Sequence, residues 1–219
     1  MKIAILLCGH IRTWNECKSS FFNFFPNDVD IFVHTYTTKY SYHPFIKDKL
    51  QLTNEINQTQ ITKTNEMFGL PNFKRVVFEK ELSNDDVDLS EYPVNLDIYS
   101  QIRKVNLCND LKKEWEKDYN FKYDIVIKTR FDIYYQGLLN LENIYSNKIY
   151  YLTCNGTLEP SDVCYLCLSK DFDKFITELT KKYKEKIINP HTWMKLCIKN
   201  INFESSKITS ECFVKRLSH

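Results

Sequence analysis

The sequence predicts an α/β fold in which a mainly parallel central sheet is flanked by helices. Three observations carry this. Residues 3–8, IAILLC, are a continuous aliphatic run ending at Gly9, the pattern of a strand covered on both faces. Helical stretches alternate with further strand-like runs along the chain. No internal repeat, heptad array or Pro/Gly-rich linker divides the 219 residues, so 1–219 reads as one domain.

An aromatic-rich helical stretch from Thr13 to Phe25 follows the first strand and is stopped by Pro26-Asn27-Asp28. Val29 to Tyr36, rich in β-branched and aromatic residues, is the next strand, so the first 36 residues form a β-α-β unit with parallel strands. From Tyr42 to Phe68 the chain turns polar, with apolar residues at Phe45, Ile46, Leu50, Leu52 and Ile56 that suggest one helix or two short ones. Phe73 to Glu79 is a third strand, and Ser83 to Asp88 reads as a solvated loop. The longest helix is expected over about Asn95 to Tyr119, with Ile98, Ile102, Val105, Leu107, Leu111 and Trp115 approximating one face. Tyr123 to Lys128 is a short buried strand that opens onto Thr129-Arg130-Phe131-Asp132. Strands at Lys148 to Thr153 and Val163 to Leu168 follow, then a helix from Asp171 to Lys186 and a second after Pro190, through Trp193 and Leu196, which closes the domain.

With 43% hydrophobic and 15% aromatic residues, the composition excludes disordered, collagen-like and low-complexity chains. A chain of this length buries roughly 70% of its unfolded surface and needs no disulfide or structural metal to hold a core. Thirty Lys+Arg against 28 Asp+Glu are interspersed, so no basic footprint for nucleic acid exists. The apolar start is too short for a signal-peptide core or a bilayer span, which points to a cytoplasmic protein. There the eight cysteines are reduced thiols and the sequons at Asn57 and Asn155 stay unmodified. Cys164-Tyr165-Leu166-Cys167 lacks a second pair or a histidine at zinc spacing and reads as buried thiols.

Ligands of open α/β sheets sit outside the carboxyl ends of the strands. Three such ends carry polar residues: Gly9-His10-Ile11-Arg12, His34-Thr35-Tyr36 and Lys128 to Asp132. Gly9 lets backbone approach a phosphate closely, the following helix start offers N–H groups, and Arg12 adds a bidentate donor. G-x-G-x-x-G and P-loop motifs are both absent. The alternative is a plain strand-to-helix turn with His10 and Arg12 solvated. Asp132, presented by a buried strand, is a candidate ligand for Mg²⁺ or Mn²⁺ bridging two phosphates, with Arg130 neutralising phosphate beside it. Its alternative is a surface Arg130–Asp132 pair of little energetic value. The D-x-D strings at Asp28-Val29-Asp30 and Asp86-Val87-Asp88 lie before a strand and in a loop.

KIAILLCGHIRTW, DVDIFVHTY and above all YDIVIKTRFDIYY resemble a family of small glycosyltransferase domains of large DNA viruses and microbes. They are similar to the N-terminal glycosyltransferase domain of a multidomain chlorella-virus protein. The likeness covers residues 1–37 and 97–135 well. It implies a GT-A type fold, with residues 1–135 as the nucleotide-binding half and 136–219 as the acceptor-side half, within a longer multidomain protein. It further implies a hexosyltransferase using a nucleotide sugar, with uridine diphosphate as carrier, a glycan or glycoprotein acceptor, and Mn²⁺ or Mg²⁺. The donor site implied comprises Gly9, His10, Arg12, His34, Gln101, Lys104, Arg130 and Asp132. R-x-D stands where most GT-A enzymes have D-x-D, a departure that leaves Asp132 to hold a cation alone or with help from elsewhere. A histidine late in the chain, here His191, can complete such a metal site. Asp162, just before an apolar strand, is the candidate base of an inverting transfer. Two other functions fit the same residues: a catalytically silent nucleotide- or glycan-binding module, and a nucleotidyltransferase.

Overall fold

The aliphatic run near the start forms β1 (Ile3–Gly9), and its residues from Ile3 to Cys8 are all buried. The structure, a computed structural model, describes residues 1–11, 13–36, 38–39, 54–55, 66, 68–80, 82, 86–87, 96–154, 160, 162–181 and 190–214. After β1 the strands are β2 (Asp30–Tyr36), the two-residue β3 (Thr38–Lys39) and β4 (Asn54–Glu55), β5 (Phe73–Glu79), β6 (Ile125–Thr129), β7 (Ile133–Gln136), β8 (Lys148–Cys154), β9 (Tyr165–Leu168) and β10 (Glu204–Val214). The helices are α1 (Trp14–Phe24), α2 (Leu96–Asp118), α3 (Ser169–Lys181) and α4 (Pro190–Asn200). Of the stretch 42–68, expected to be helical, only 54–55, 66 and 68 are described, and 54–55 is the strand β4 instead; most of the 83–88 loop falls outside the described residues.

Eight strands make one sheet in the order β5-β2-β1-β6-β9-β8-β10-β7. β5, β2, β1 and β6 are mutually parallel, with Leu6 between Phe32 and Lys128 in register. β9 is antiparallel to both its neighbours, and β10 is parallel to β8 but antiparallel to β7. The sheet is therefore mainly parallel, as expected, with an antiparallel insertion at β9. Besides the two-residue β3 and β4, two strands of the main sheet go beyond the sequence expectations. β7 follows the R-x-D turn directly, and β10 succeeds α4, so α4 does not close the fold.

Each face of the sheet carries its own core. On one, Phe21 and Phe24 of α1 pack with Ile5, Ile127 and Tyr135. On the other, α2, α3 and α4 bring Ile102, Phe172 and Trp193 against Leu6, Phe32 and Val126. Each such buried side chain contributes about 1.5–3 kcal/mol. The expected face of α2 holds at Ile98, Ile102 and Val105, but Cys108 is buried where Leu107 was expected, being three residues beyond Val105. Cys164 and Cys167 enter opposite cores, so that C-x-x-C cannot clamp one metal ion. Asp30, from the first D-x-D string, accepts from the Tyr123 hydroxyl at 2.6 Å and pairs with Lys74, both structural contacts.

A buried polar network ties α2 to its neighbours. Lys112 and Glu116 are both fully buried, 3.7 Å apart and one helical turn from each other. The Lys112 amine donates to Ser169 Oγ of α3 at 3.1 Å and lies 3.6 Å from Asp173. Glu116 accepts from Lys122 Nζ at 2.8 Å and from the Tyr123 backbone N–H at 3.1 Å, just before β6. Among the described residues no helix is long and apolar enough to cross a membrane.

Candidate functional site

Because β1, β2, β5 and β6 run parallel, Gly9, Tyr36, Glu79 and Arg130 arrive at one edge of the sheet. Gly9 has φ +118°, a left-handed backbone that favours glycine, while an added Cβ would meet nothing within 4 Å. The need for glycine is therefore conformational rather than steric. The Thr35 hydroxyl donates to the Gly9 carbonyl at 2.6 Å and fixes this turn. α1 begins only at Trp14, and two of its first N–H groups are already used, Trp14 by the Ile11 carbonyl and Glu16 by that of Thr13. The helix start thus offers a phosphate less than the sequence suggested. Arg12 lies outside the described residues.

Around Tyr36 a cationic cluster forms. Its hydroxyl hydrogen-bonds Ser100 of α2, its ring lies 4.6 Å from that of His10, and Lys104 Nζ sits 2.9 Å from its centroid. Glu79, at the end of β5, accepts from Arg103 Nη1 with both oxygens at 2.7 Å and from Lys104 at 3.1 Å. Burial alone would raise the Glu79 carboxyl, but Arg103 and Lys104 outweigh it and hold it below its ordinary range. Burial lowers the Lys104 amine to about 8 despite Glu79. Glu79 was not singled out in the sequence, although it obeys the same rule of strand carboxyl ends.

His34 is buried beside this group, its Nδ1 3.8 Å from Glu79 and without a hydrogen-bond partner among the described residues. Burial, with Lys104 and Arg103 nearby, lowers its pKa from 6.5 to about 4, against the opposing pull of Glu79. It is a neutral imidazole near pH 7. Between pH 6.5 and about 4 the unfolded chain binds a proton that the folded chain refuses, so stability falls as pH drops through that window. We expect His34→Gln to flatten this fall, measured as melting temperature against pH; an unchanged slope would contradict it.

The second cluster belongs to β6. Lys128 is fully buried within the sheet, which lowers its pKa, and its amine donates to the Asp162 carbonyl. The Asp162 carboxylate, half-buried, accepts from the Gln101 side-chain amide of α2. Gln101, Lys128 and Asp162 line a small pocket whose apolar walls include Ile102, Tyr165 and Trp193. Gln101 and Lys104, both in the implied donor site, thus serve separate partners. Beyond the strand, Arg130 donates through Nε to Asp132 Oδ1 at 2.9 Å and through Nη2 to Oδ2 at 2.6 Å. Phe131 between them packs edge-on against Trp14, 5.5 Å away, and fixes the turn.

A divalent cation fits these residues poorly. Among the described residues no three His, Cys, Asp or Glu side chains gather as ligands. Both oxygens of Asp132 receive Arg130, and Asp162 is held by Gln101. His191 lies in the first turn of α4, and its side chain is outside the described residues.

A sheet of this order, with polar residues gathered at the carboxyl ends of its parallel strands, defines the class as a mixed α/β domain. No family model and no curated protein matches the chain. Solved structures of two bacterial proteins are similar to this chain. The glycosyltransferase GlyE of Streptococcus pneumoniae TIGR4 is 12% identical over 95% of this chain and 45% of its own, with a TM-score of 0.45. Residues 1–349 of S. aureus TarS in complex with UDP-GlcNAc are 12% identical over 100% of this chain and 60% of theirs, with a TM-score of 0.47. The chain spans about half the length of these structures.

Proposed function

We propose that the protein transfers a hexosyl group from a uridine diphosphate sugar to a hydroxyl of a glycan or glycoprotein. One observation carries this: Arg103, Lys104, Lys128 and Arg130 gather at the carboxyl edge of the parallel strands, beside a carboxylate, Asp162, oriented over a pocket by Gln101. Arg103 and Arg130, the two of these whose side chains remain partly exposed, suit a diphosphate, whose negative charge grows as it leaves. The R-x-D turn and the strand-end motifs, which resemble those of small glycosyltransferases, support uridine diphosphate as carrier.

In this reaction the acceptor O–H gives its proton to the Asp162 carboxylate while its oxygen bonds to the anomeric carbon. The bond from that carbon to the diphosphate oxygen breaks and its electron pair leaves with uridine diphosphate. Attack from the face opposite the leaving group inverts the centre. The walls at Tyr165 and Trp193 make the same pocket mostly apolar.

Thermal melting with uridine diphosphate and its sugars tests the proposal. A ligand at a hundred times its Kd stabilises by about 2.7 kcal/mol, roughly 5–10 °C for a chain of this size. If no nucleoside diphosphate raises the melting temperature, the proposal fails. Release of pyrophosphate from a nucleoside triphosphate, in place of uridine diphosphate from a sugar donor, would make the protein a nucleotidyltransferase.

A further inference from the structure

We infer that Arg130 takes the place of the divalent cation, so that the diphosphate binds to the protein's own guanidinium and no metal is required. This rests on the uridine diphosphate reading above.

Two geometric facts support it. The first is the bidentate pairing of Arg130 with Asp132, which engages both carboxylate oxygens. The second is exposure: the Arg130 side chain is 25% accessible and that of Asp132 only 3%. A cation bridging protein and phosphate must touch both, yet the Asp132 side chain lies deeper than that of Arg130. Asp132 is then a positioning residue that aims Arg130, and a planar fork of donors suits phosphate oxygens as well as it suits the carboxylate.

Charge balance points the same way. Two carboxylates plus a divalent ion sum to zero, and Arg130 with Asp132 sums to zero without one. An ion entering here would meet Arg130 and, one strand position pair earlier, the buried amine of Lys128. Like charges at such range repel strongly where water is scarce. The positive charge that a D-x-D site borrows from solution is here built into β6 and the turn after it.

Calorimetric titration of the full chain with uridine diphosphate, once in excess chelator and once in excess Mn²⁺, tests this. The expected Kd is the same within about twofold, because no bound metal contributes to it. Binding lost in chelator and restored by Mn²⁺ would overturn the inference while leaving the donor reading intact. No binding in either condition would remove both. Arg130→Asp is expected to weaken binding by about ten- to a hundredfold in chelator, the worth of a charge-assisted contact, and to make it recover with Mn²⁺. Arg130→Gln, a milder change that covers the case in which Arg130→Asp fails to fold, is expected to weaken binding about tenfold equally with and without Mn²⁺. Recovery of Arg130→Gln with Mn²⁺ would show a metal ligand still in place and overturn the inference.

Discussion

Replacing Asp162 by asparagine is expected to lower kcat by about 10²- to 10⁴-fold, the usual worth of a positioned proton acceptor, and to leave the affinity for uridine diphosphate unchanged. The substitution keeps an oxygen for the Gln101 amide to reach, so the backbone held by Lys128 and the pocket wall stay in place. What it removes is the capacity to take the acceptor's proton. A loss confined to kcat, with donor binding intact, separates a base from a donor contact. Full activity in Asp162→Asn would exclude Asp162 as the base. A product that keeps the donor's anomeric configuration would exclude direct inversion.

Glu116→Ala is expected to lower folding stability by about 3–5 kcal/mol, because it leaves the Lys112 ammonium buried without its partner. It also strips the Tyr123 N–H of its acceptor at the entry to β6. Asp173, 3.6 Å from Lys112 and partly exposed, compensates only in part. For a chain of this length that loss is roughly 10 °C in melting temperature. Lys112→Met alone should cost less, since it leaves Glu116 with Lys122 and the Tyr123 N–H. A cost below about 1 kcal/mol for Glu116→Ala, within the range of an exposed ion pair, would show that the network is decorative.

Much of the fold was legible because its central strands are buried on both faces. β1, β2 and β6 show that as unbroken apolar runs, and α2 shows it as a repeating face. β7 and β10 were not legible for a physical reason. Along β10 the buried positions fall at Ile208 and Cys212 amid serines and charged residues, so neither an apolar run nor a clear alternation stands out. Its strand character comes from the neighbours β8 and β7, which local sequence does not contain. The antiparallel direction of β9 is likewise set by its partners.

At the candidate site, the rule of strand carboxyl ends led to Gly9, His10, His34, Arg130 and Asp132. It also applies to Glu79, which a charged residue after a mixed strand concealed. The burial of Lys128 was illegible as well, because a lysine closing a short strand reads as its solvent-facing end. Only the register against Leu6 and Tyr165 puts it in the interior. Tyr36 gathers His10, just after the end of β1, with Ser100 and Lys104 from α2, an arrangement that no spacing within one segment encodes.

β10 lies between β8 and β7, although both of those precede it in the chain. As the polypeptide emerges from a ribosome, β7 therefore has no sheet neighbour until residues 204–214 are made, and the interval between β8 and β7 stays open until then. The growing chain exposes two unsatisfied strand edges flanking a gap of one strand's width, the kind of surface on which nascent chains misassociate. Assembly of this end of the sheet is thus timed by its last strand, whereas β1 and β2 are available to pair as soon as the first 36 residues have appeared.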